Sequence, residues 1–349
     1  MHIIKLDHDT HIWRRFLQKN NTLIFHTPEW KQLIEKSFKK VKTIYFAVLD
    51  KEDIKIILPF LYIDHPMFEK KLISCGFIEY GGPAGKPDSK TLEIVFDEIS
   101  RKYKNRADYL EIRQGLTEFT ATLDKIDLIK KTEYKRFITR LGNSKELWKK
   151  ISKQRRKAVR KAEKEGISVR EIRMGDLNDV YNIYLKNMKI FGSPPLSKNF
   201  FENFFKILVL NNLARGFGAY YKGKLVALLI GYTYRNRIHI IINVSDHNYL
   251  NYRPNDAVHW AFMKWGCENG YNIFDWGRVR EESGQFRFKS LWASELHNLN
   301  HYYILWKSKE TPRIDPTNPK YKFLIWLWKH MPLFISKRIG PWIREGLGI

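Results

Sequence analysis

Apolar positions along this chain recur at two spacings, and the spacing changes often. Ile44-Tyr45-Phe46-Ala47-Val48-Leu49 and Ile54-Lys55-Ile56-Ile57-Leu58-Pro59-Phe60-Leu61 are short β-branched and aromatic runs flanking a polar turn at 50–53. They predict two paired strands. Ahead of them Pro28-Glu29-Trp30 opens a helix reaching about residue 38, with Thr27 as its cap and Pro28 at its first position. Residues 91–103 are helical by period, Tyr109-Leu110-Glu111-Ile112-Arg113 reads as a buried strand, and 134–141 as another.

From residue 144 to 164 the pattern is different. Leu147, Ile151, Ala158 and Ala162 give one apolar stripe, while ten Lys and Arg and only Glu146 and Glu163 occupy the rest between 145 and 164. This predicts one strongly basic helix, stopped by Gly166 before a strand at 167–169. The second half then repeats the grammar of the first. Helices are expected at 176–188 and 197–210, and strands at 214–221, 224–234 and 237–244, the first two joined by a Lys222-Gly223 turn. A helix at 255–269, a strand at 271–276, a short helix at 284–291 and a strand at 299–305 complete it. The expectation is an α+β chain of two related domains with mixed or antiparallel sheets.

Residues 319–349 stand apart, with six Lys and Arg against one Glu. Phe323, Leu324, Trp326, Leu327, Trp328, Leu333, Phe334 and Ile335 are interrupted by Pro332. Indoles flanked by lysines suit a helix lying in a membrane interface; the same pattern suits a helix docked on the body of the protein. The domain reading is therefore 1–143, 144–310 and a tail at 311–349.

Composition adds one strong constraint. Across 349 residues, 62 Lys and Arg against 37 Asp and Glu leave a net charge of +25. That excess favours polyanionic partners such as RNA, anionic lipid or phosphorylated carriers, and also arises in lysine-rich chains without such a role. With 44% hydrophobic residues the chain is globular rather than disordered. Cys75 and Cys267 are too few for a disulfide framework and read as two reduced thiols. The opening Met1-His2-Ile3-Ile4-Lys5-Leu6-Asp7 lacks a secretory core, and no apolar run approaches the ~18–20 residues of a bilayer span. A soluble cytosolic protein is expected, with contact to the inner face of the plasma membrane left open.

Several motifs fail on spacing. Gly81-Gly82-Pro83-Ala84-Gly85-Lys86-Pro87 is not a P-loop, because the GxxxxGK[ST] spacing is missing and Pro87 supplies neither hydroxyl nor amide. His259 and His301 lack companions at metal-ligand spacing, so no catalytic metal is expected. The glycine-rich pyrophosphate turn of ordinary acetyltransferases is absent. What remains lies mainly in the second half. Tyr252-Arg253-Pro254-Asn255-Asp256-Ala257 sits at a helix start, where amides and dipole favour an anion, unless Asn255 or Asp256 is simply the cap. Phe274-Asp275-Trp276-Gly277-Arg278 ends a strand, with Arg287-Phe288-Lys289 soon after; these charges also read as an ordinary salt-bridge cluster.

In that order the segments resemble the FemAB/FemX superfamily of tandem acetyltransferase-like (GNAT) domains, including its exopolysaccharide-associated branch. The resemblance runs through Tyr80-Gly81-Gly82-Pro83, Glu111-Ile112-Arg113, Arg155-Arg156 to Gly166, Tyr252 to Ala257, and Phe274 to Arg278. It continues in Phe286-Arg287-Phe288-Lys289-Ser290-Leu291-Trp292-Ala293 and in the ending Met331-Pro332-Leu333 to Trp342. It covers nearly the whole chain. The basic helix is shorter than the helical hairpin some members bring to tRNA.

The resemblance implies transfer of an amino acid from aminoacyl-tRNA to an amine of a peptidoglycan-type precursor, with no metal, no cofactor beyond the donor and no covalent enzyme intermediate. By it Lys289 would stabilise the oxyanion, and Asp275 would orient the acceptor amine or help remove its proton. Arg253, Arg278, Arg287, Tyr252 and Asn255 would hold the acceptor, Tyr80, Glu111 and Arg113 would line the first domain's side of a cleft, and Arg155, Arg156 and Arg160 would meet RNA phosphates. An acyl-CoA or acyl-carrier-protein donor is the alternative enzyme reading, and a non-catalytic cationic adaptor binding membrane or RNA is the third. No DNA partner is expected, a lipid-linked acceptor at an anionic membrane fits, and the sequence is silent on oligomeric state.

Overall fold

The computed structural model describes residues 2–86, 88–281, 283–312 and 319–348. Pro87, weighed above against a phosphate loop, and residues 313–318 of the tail lie outside the described residues. In chain order the elements are β1 (His2–Lys5), α1 (His11–Lys19), α2 (Pro28–Ser37), β2 (Val41–Asp50), β3 (Asp53–Ile63), β4 (Lys71–Ile73) and β5 (Ala84–Gly85). Then come α3 (Ser89–Tyr103), β6 (Tyr109–Arg113), α4 (Thr120–Leu123), β7 (Ile129–Arg140), α5 (Ser144–Lys150), α6 (Lys153–Lys164), β8 (Ile167–Glu171), α7 (Leu177–Phe191) and α8 (Lys198–Asn203). The chain continues through β9 (Ala214–Tyr221), β10 (Lys224–Tyr234), β11 (Arg237–Ser245), α9 (Pro254–Glu268), β12 (Ile273–Val279), α10 (Gly284–Ser290), β13 (Ser294–Leu305), α11 (Pro319–His330) and α12 (Leu333–Leu347).

Two compact units result. Unit 1 comprises Met1–Glu133, Leu299–Ile314 and Trp342–Ile349; unit 2 comprises Tyr134–Asn298 and Asp315–Pro341. The division thus departs from the expected cuts after 143 and 310. Its reason is strand pairing. Residues 135–140 of β7 pair antiparallel with β12 in unit 2, whereas His301 to Leu305 of β13 pair antiparallel with β6 in unit 1. Neither pairing leaves a mark in the local pattern.

In unit 1 the strand order is β1-β2-β3-β4-β6-β13, with the β2–β3 hairpin as its centre and the β4–β6 pair parallel. Thr27 Oγ accepts the Trp30 amide, as its position before Pro28 predicts, and Thr10 does the same for Trp13 on a helix the pattern did not reveal. Trp13, Trp30, Ile57, Leu110 and Ile112 are buried in this unit's interior.

In unit 2 the order is β7-β12-β11-β10-β9-β8. The meander β9-β10-β11 has nearly the bounds its pattern predicts, turning at Lys222 and Gly223, both at positive φ. The single basic helix expected over 144–164 is two helices. Ser152 Oγ caps the second by accepting the Arg155 amide, and the break lets Ile151 drop into the core that holds Val258, Phe262, Phe274 and Trp292. The helix expected over 197–210 continues past α8 as a wider π-type turn, Phe204–Val209.

The tail is helical, and in unit 2 it packs on the body. Ile325 lies against Gly192 at the end of α7, Trp328 and Ser336 are buried, and Gly340 meets Pro195. Among the described residues no helix is long and apolar enough to cross a membrane.

Candidate active site

Unit 2 owes its candidate site to a strand that leaves its neighbour. β11 and β12 run parallel, but their pairing covers only Arg237 to His239 against Ile273 to Asp275. Beyond it β11 continues to Ser245 on β10, and β12 continues to Val279 on β7, so the two strands diverge. The β12–β7 register also shifts between Asp275 and Arg278, with Gly277 at φ +67° in the step. A side chain is strained in that left-handed region, which explains the glycine. The split ends their shared ladder and opens a notch between the two strands.

Lys289 fixes the kinked strand. It rises from α10, whose start is set by Ser283 Oγ accepting the Phe286 amide. Its Nζ donates to the carbonyls of Trp276, at 2.7 Å, and Arg278, at 3.0 Å. The side chain is half-buried, so an ammonium is held at the notch without being sealed from it. Ser294 Oγ in turn donates to the Lys289 carbonyl, and Trp276 Nε1 to Thr139 Oγ1, anchoring the lysine's helix and its carbonyl partner.

Around Lys289 stands a cluster the sequence reading did not assemble. The His259 ring stacks on Trp276, with centroids 5.0 Å apart and planes at 14°, and meets Phe288 edge-on. His259 Nδ1 bonds the Asn255 carbonyl at 2.7 Å, which makes Nδ1 the protonated nitrogen. Burial lowers its pKa to about 4, and the nearby Lys289 and Arg155 charges push the same way, so the ring is neutral at physiological pH. Arg155 lies over the Phe288 ring and donates to Asp256 Oδ1 at 2.8 Å. Burial raises Asp256 to about 6 against the pull of Arg155 and Arg253.

The structure revises several expected roles. Asp275 is fully buried; Oδ2 accepts from Arg237 at 3.0 Å and Arg136 at 3.4 Å, and Oδ1 accepts the Gly277 amide. It braces the kink and presents no carboxylate to an acceptor amine. Arg155 is similarly withdrawn from RNA by its buried pairing with Asp256, and that carboxylate occupies the α9 N-terminal end where an anion was expected. Arg156 donates to the carbonyls of Trp148 and Lys149, whereas Arg160 is exposed against Trp148. Arg253 and Arg287 are exposed. Tyr252 stacks with Tyr221, Asn255 Nδ2 donates to Ser245 Oγ, and the Arg278 guanidinium lies over Tyr134.

Tyr80, Glu111 and Arg113 belong to the interior of unit 1. Arg113 pairs with Glu111 at 2.9 Å, His301 Nδ1 lies 3.0 Å from the same carboxylate, and Tyr303 donates to it. Arg113 also donates to the Ile78 carbonyl, and its own carbonyl receives the Gly81 amide. A Cβ on Gly81 would come within 2.3 Å of Cys75 Sγ, so this loop packs too tightly for any other residue. Arg113 and His301 hold Glu111 well below the usual carboxylate range despite burial, which alone would raise it. These groups are sealed from solvent and contact no open surface.

Sequence reasoning weighed Asp256 only at a helix start and His259 only as a metal ligand, and it missed Arg136 and Arg237. Asp256 and His259 left a signal, being one helical turn apart on one face of α9.

Comparisons with known proteins agree with this geometry. Residues 149–290, which include His259, the β11–β12 split and Lys289, match the family described as Acetyltransferase (GNAT) domain. No curated protein matches the chain in sequence. FemX is similar in structure, with a TM-score of 0.70 at 14% identity over 93% of this chain and 100% of that one. L-PGS from Bacillus licheniformis is similar at 0.57 and 15% identity over 93% and 98%, respectively. A tandem GNAT protein from the clavulanic acid biosynthesis pathway aligns at 0.55 and 8% identity, covering 88% of this chain and 99% of that one. The fold is a FemX-like tandem of GNAT-type domains, α+β, with C-terminal helices.

Proposed function

We propose that this acyltransferase moves an amino acid from aminoacyl-tRNA to an amine of a cell-envelope, peptidoglycan-type precursor. The observation that carries the reading is the Lys289 ammonium pinned by the Trp276 and Arg278 carbonyls beside the β11–β12 split. In the reaction the acceptor nitrogen attacks the ester carbonyl, a C–N bond forms, and the carbonyl electron pair moves onto oxygen. Lys289 stabilises that oxyanion, the C–O bond to the ribose then breaks, and the leaving hydroxyl takes up a proton as the nitrogen loses one. The neutral, stacked His259 and the Arg155–Asp256 pair hold the lysine's surroundings and exchange no proton with substrate. Asp275 is a positioning residue for the kink.

Support for a tRNA donor comes from the FemX-like fold and from α6, where Lys153, Lys157, Arg160, Lys161 and Lys164 are exposed. The acceptor would be lipid-linked, placing the protein at the inner membrane face. A second reading, acyl-CoA or acyl-carrier protein as donor, is favoured by the GNAT match over 149–290. The deciding experiment offers charged tRNA and acetyl-CoA as competing donors to the purified protein with an amine acceptor, read by mass spectrometry. Aminoacylated acceptor supports the proposal. Acetylated acceptor replaces it with the second reading, and neither product leaves a cationic binding protein.

A further inference from the structure

α11 is apolar on both sides, and the protein uses only one of them. At 100° per residue, Ile325 and Trp328 point toward the body of unit 2, where Ile325 packs on Gly192 and Trp328 is buried. Phe323, Trp326 and Leu327 occupy the opposite arc and Leu324 flanks Trp328; all four stand in solvent, Phe323 at 60% and Trp326 at 55% exposure. The first turn of α12 extends the surface with Leu333 and with Phe334 at 74%. A surface helix normally turns polar residues outward; one that is hydrophobic all round is covered on both faces. Isolated exposed apolar residues are ordinary, but six large ones on adjoining helices make a patch that needs a partner.

The chemistry around the patch names that partner. Lys322 and Lys329 project from the flank of α11's exposed arc, and Lys337 and Arg338 follow on α12, all exposed. Between residues 319 and 341 there is no acidic residue. An apolar centre carrying an indole, with Lys322, Lys329, Lys337 and Arg338 beside it, complements a bilayer whose acyl boundary accepts the rings and whose surface phosphates accept the lysines. A second copy of this chain would oppose like charges across the same rim. We infer that the outer face of α11 with the start of α12 seats unit 2 on an anionic phospholipid surface, lying in the interface without spanning it. The inference rests on the proposed membrane-borne acceptor for its purpose; its geometry is independent of donor and chemistry.

The test is co-flotation of the full-length protein with vesicles, in the absence of any donor or acceptor. Vesicles of phosphatidylcholine with about a third phosphatidylglycerol should be bound and pure phosphatidylcholine should not, with binding falling as salt rises. The variant F323S/W326S/F334S should bind at least tenfold more weakly, and K322Q/K329Q should lose roughly fivefold per lysine. All five side chains are exposed, so both variants should melt like wild type. Failure of wild type to float with anionic vesicles at low salt overturns the inference. So does undiminished binding by the triple variant, or sedimentation showing that wild type is a dimer and the triple variant a monomer. Transfer to a soluble acceptor, measured separately, should be the same in wild type and both variants. Loss of transfer with intact vesicle binding therefore defeats the functional proposal alone.

Discussion

Each unit of this protein carries a buried carboxylate clamped by arginine on a central strand, and the two are used differently. In unit 1 Glu111 lies on β6, a regular strand paired with β13 over five consecutive residues, and every group around it is sealed. In unit 2 Asp275 lies on β12 at the point where the strand steps and parts from β11. The same kind of ion pairing lies on a regularly paired strand in one unit and beside a register shift in the other. What separates them is the half-buried Lys289, whose ammonium lies against the carbonyls exposed by the step. A buried charge network thus occurs both with and without a break in the neighbouring ladder. The departure of the backbone from regular pairing is what marks unit 2 as the candidate, because a regular ladder leaves no unpaired group for a substrate.

The comparison breaks first at Glu111. Glu111→Gln leaves Arg113 and His301 facing a neutral amide in the core, and breaking such a pair costs about 3–5 kcal/mol. Chemical denaturation should show that loss, while turnover per folded molecule stays within about threefold of wild type. A variant of normal stability with collapsed turnover would return Glu111 to the substrate site. Lys289→Met should do the converse. Removing an oxyanion stabiliser lowers kcat by ~10²-fold or more. Part of the fold also loosens, since two carbonyls lose their donor, at about 1–3 kcal/mol. Turnover is therefore compared well below the melting transition, and near-wild-type turnover there would remove the lysine from the chemistry.

What was legible in the sequence follows the same line between local and non-local causes. Thr27 before Pro28, the β2–β3 hairpin, the buried strand at 109–113 and the meander from Ala214 onward are local patterns, and each gives its element nearly at its bounds. The role proposed for Lys289 comes from a resemblance, and only its short helix from local pattern. The partners were not legible. Arg155 finds Asp256 101 residues away, and Arg136 approaches Asp275 139 residues away. No periodicity encodes such pairings, so the pattern left Asp275 open between a substrate-facing carboxylate and a salt bridge, and only the resemblance gave Arg155 a role, at RNA. The break at Ser152 was written locally, as a capping serine, but the surrounding lysine-rich run concealed it.

Acid sharpens the contrast within unit 2. His259 has a folded pKa of about 4 against 6.5 unfolded, so between those values the unfolded chain binds a proton that the native state refuses. Its contribution to stability is complete above pH 6.5 and is lost as pH falls toward 4. Asp256 works in the opposite sense. With a folded pKa of about 6 against 3.8, the native state takes up the extra proton between those values, which offsets part of the loss. His26 in unit 1, also lowered to about 4 by burial, has no such raised carboxylate among the groups that set its titration. Urea midpoints should fall from pH 6.5 to 4, and Asp256→Asn should make that fall steeper. An unchanged slope would mean that the Arg155–Asp256 pair does not titrate as its burial dictates.

The smallest expected effect concerns the outer face of α6. Arg155 on the inner face is committed to Asp256, so if the donor is tRNA, as proposed, its phosphate contacts would fall to Lys157, Arg160 and Lys161. Each is solvated in the free protein, and neutralising it costs the fold little. Lys157→Gln, Arg160→Gln and Lys161→Gln together should leave melting within about a degree of wild type. They should weaken tRNA binding modestly and lower the slope of log affinity against log salt by about 2–3, close to one unit per lost phosphate contact. Filter binding between low and physiological salt reads both quantities. Arg155→Gln is the control from the other side of the helix. Because it strands a buried Asp256, it should cost stability while leaving the salt slope of the folded fraction unchanged. If instead Arg155→Gln alters the slope and the triple variant does not, the inner face meets the nucleic acid, and the Arg155–Asp256 pair must open when the donor binds.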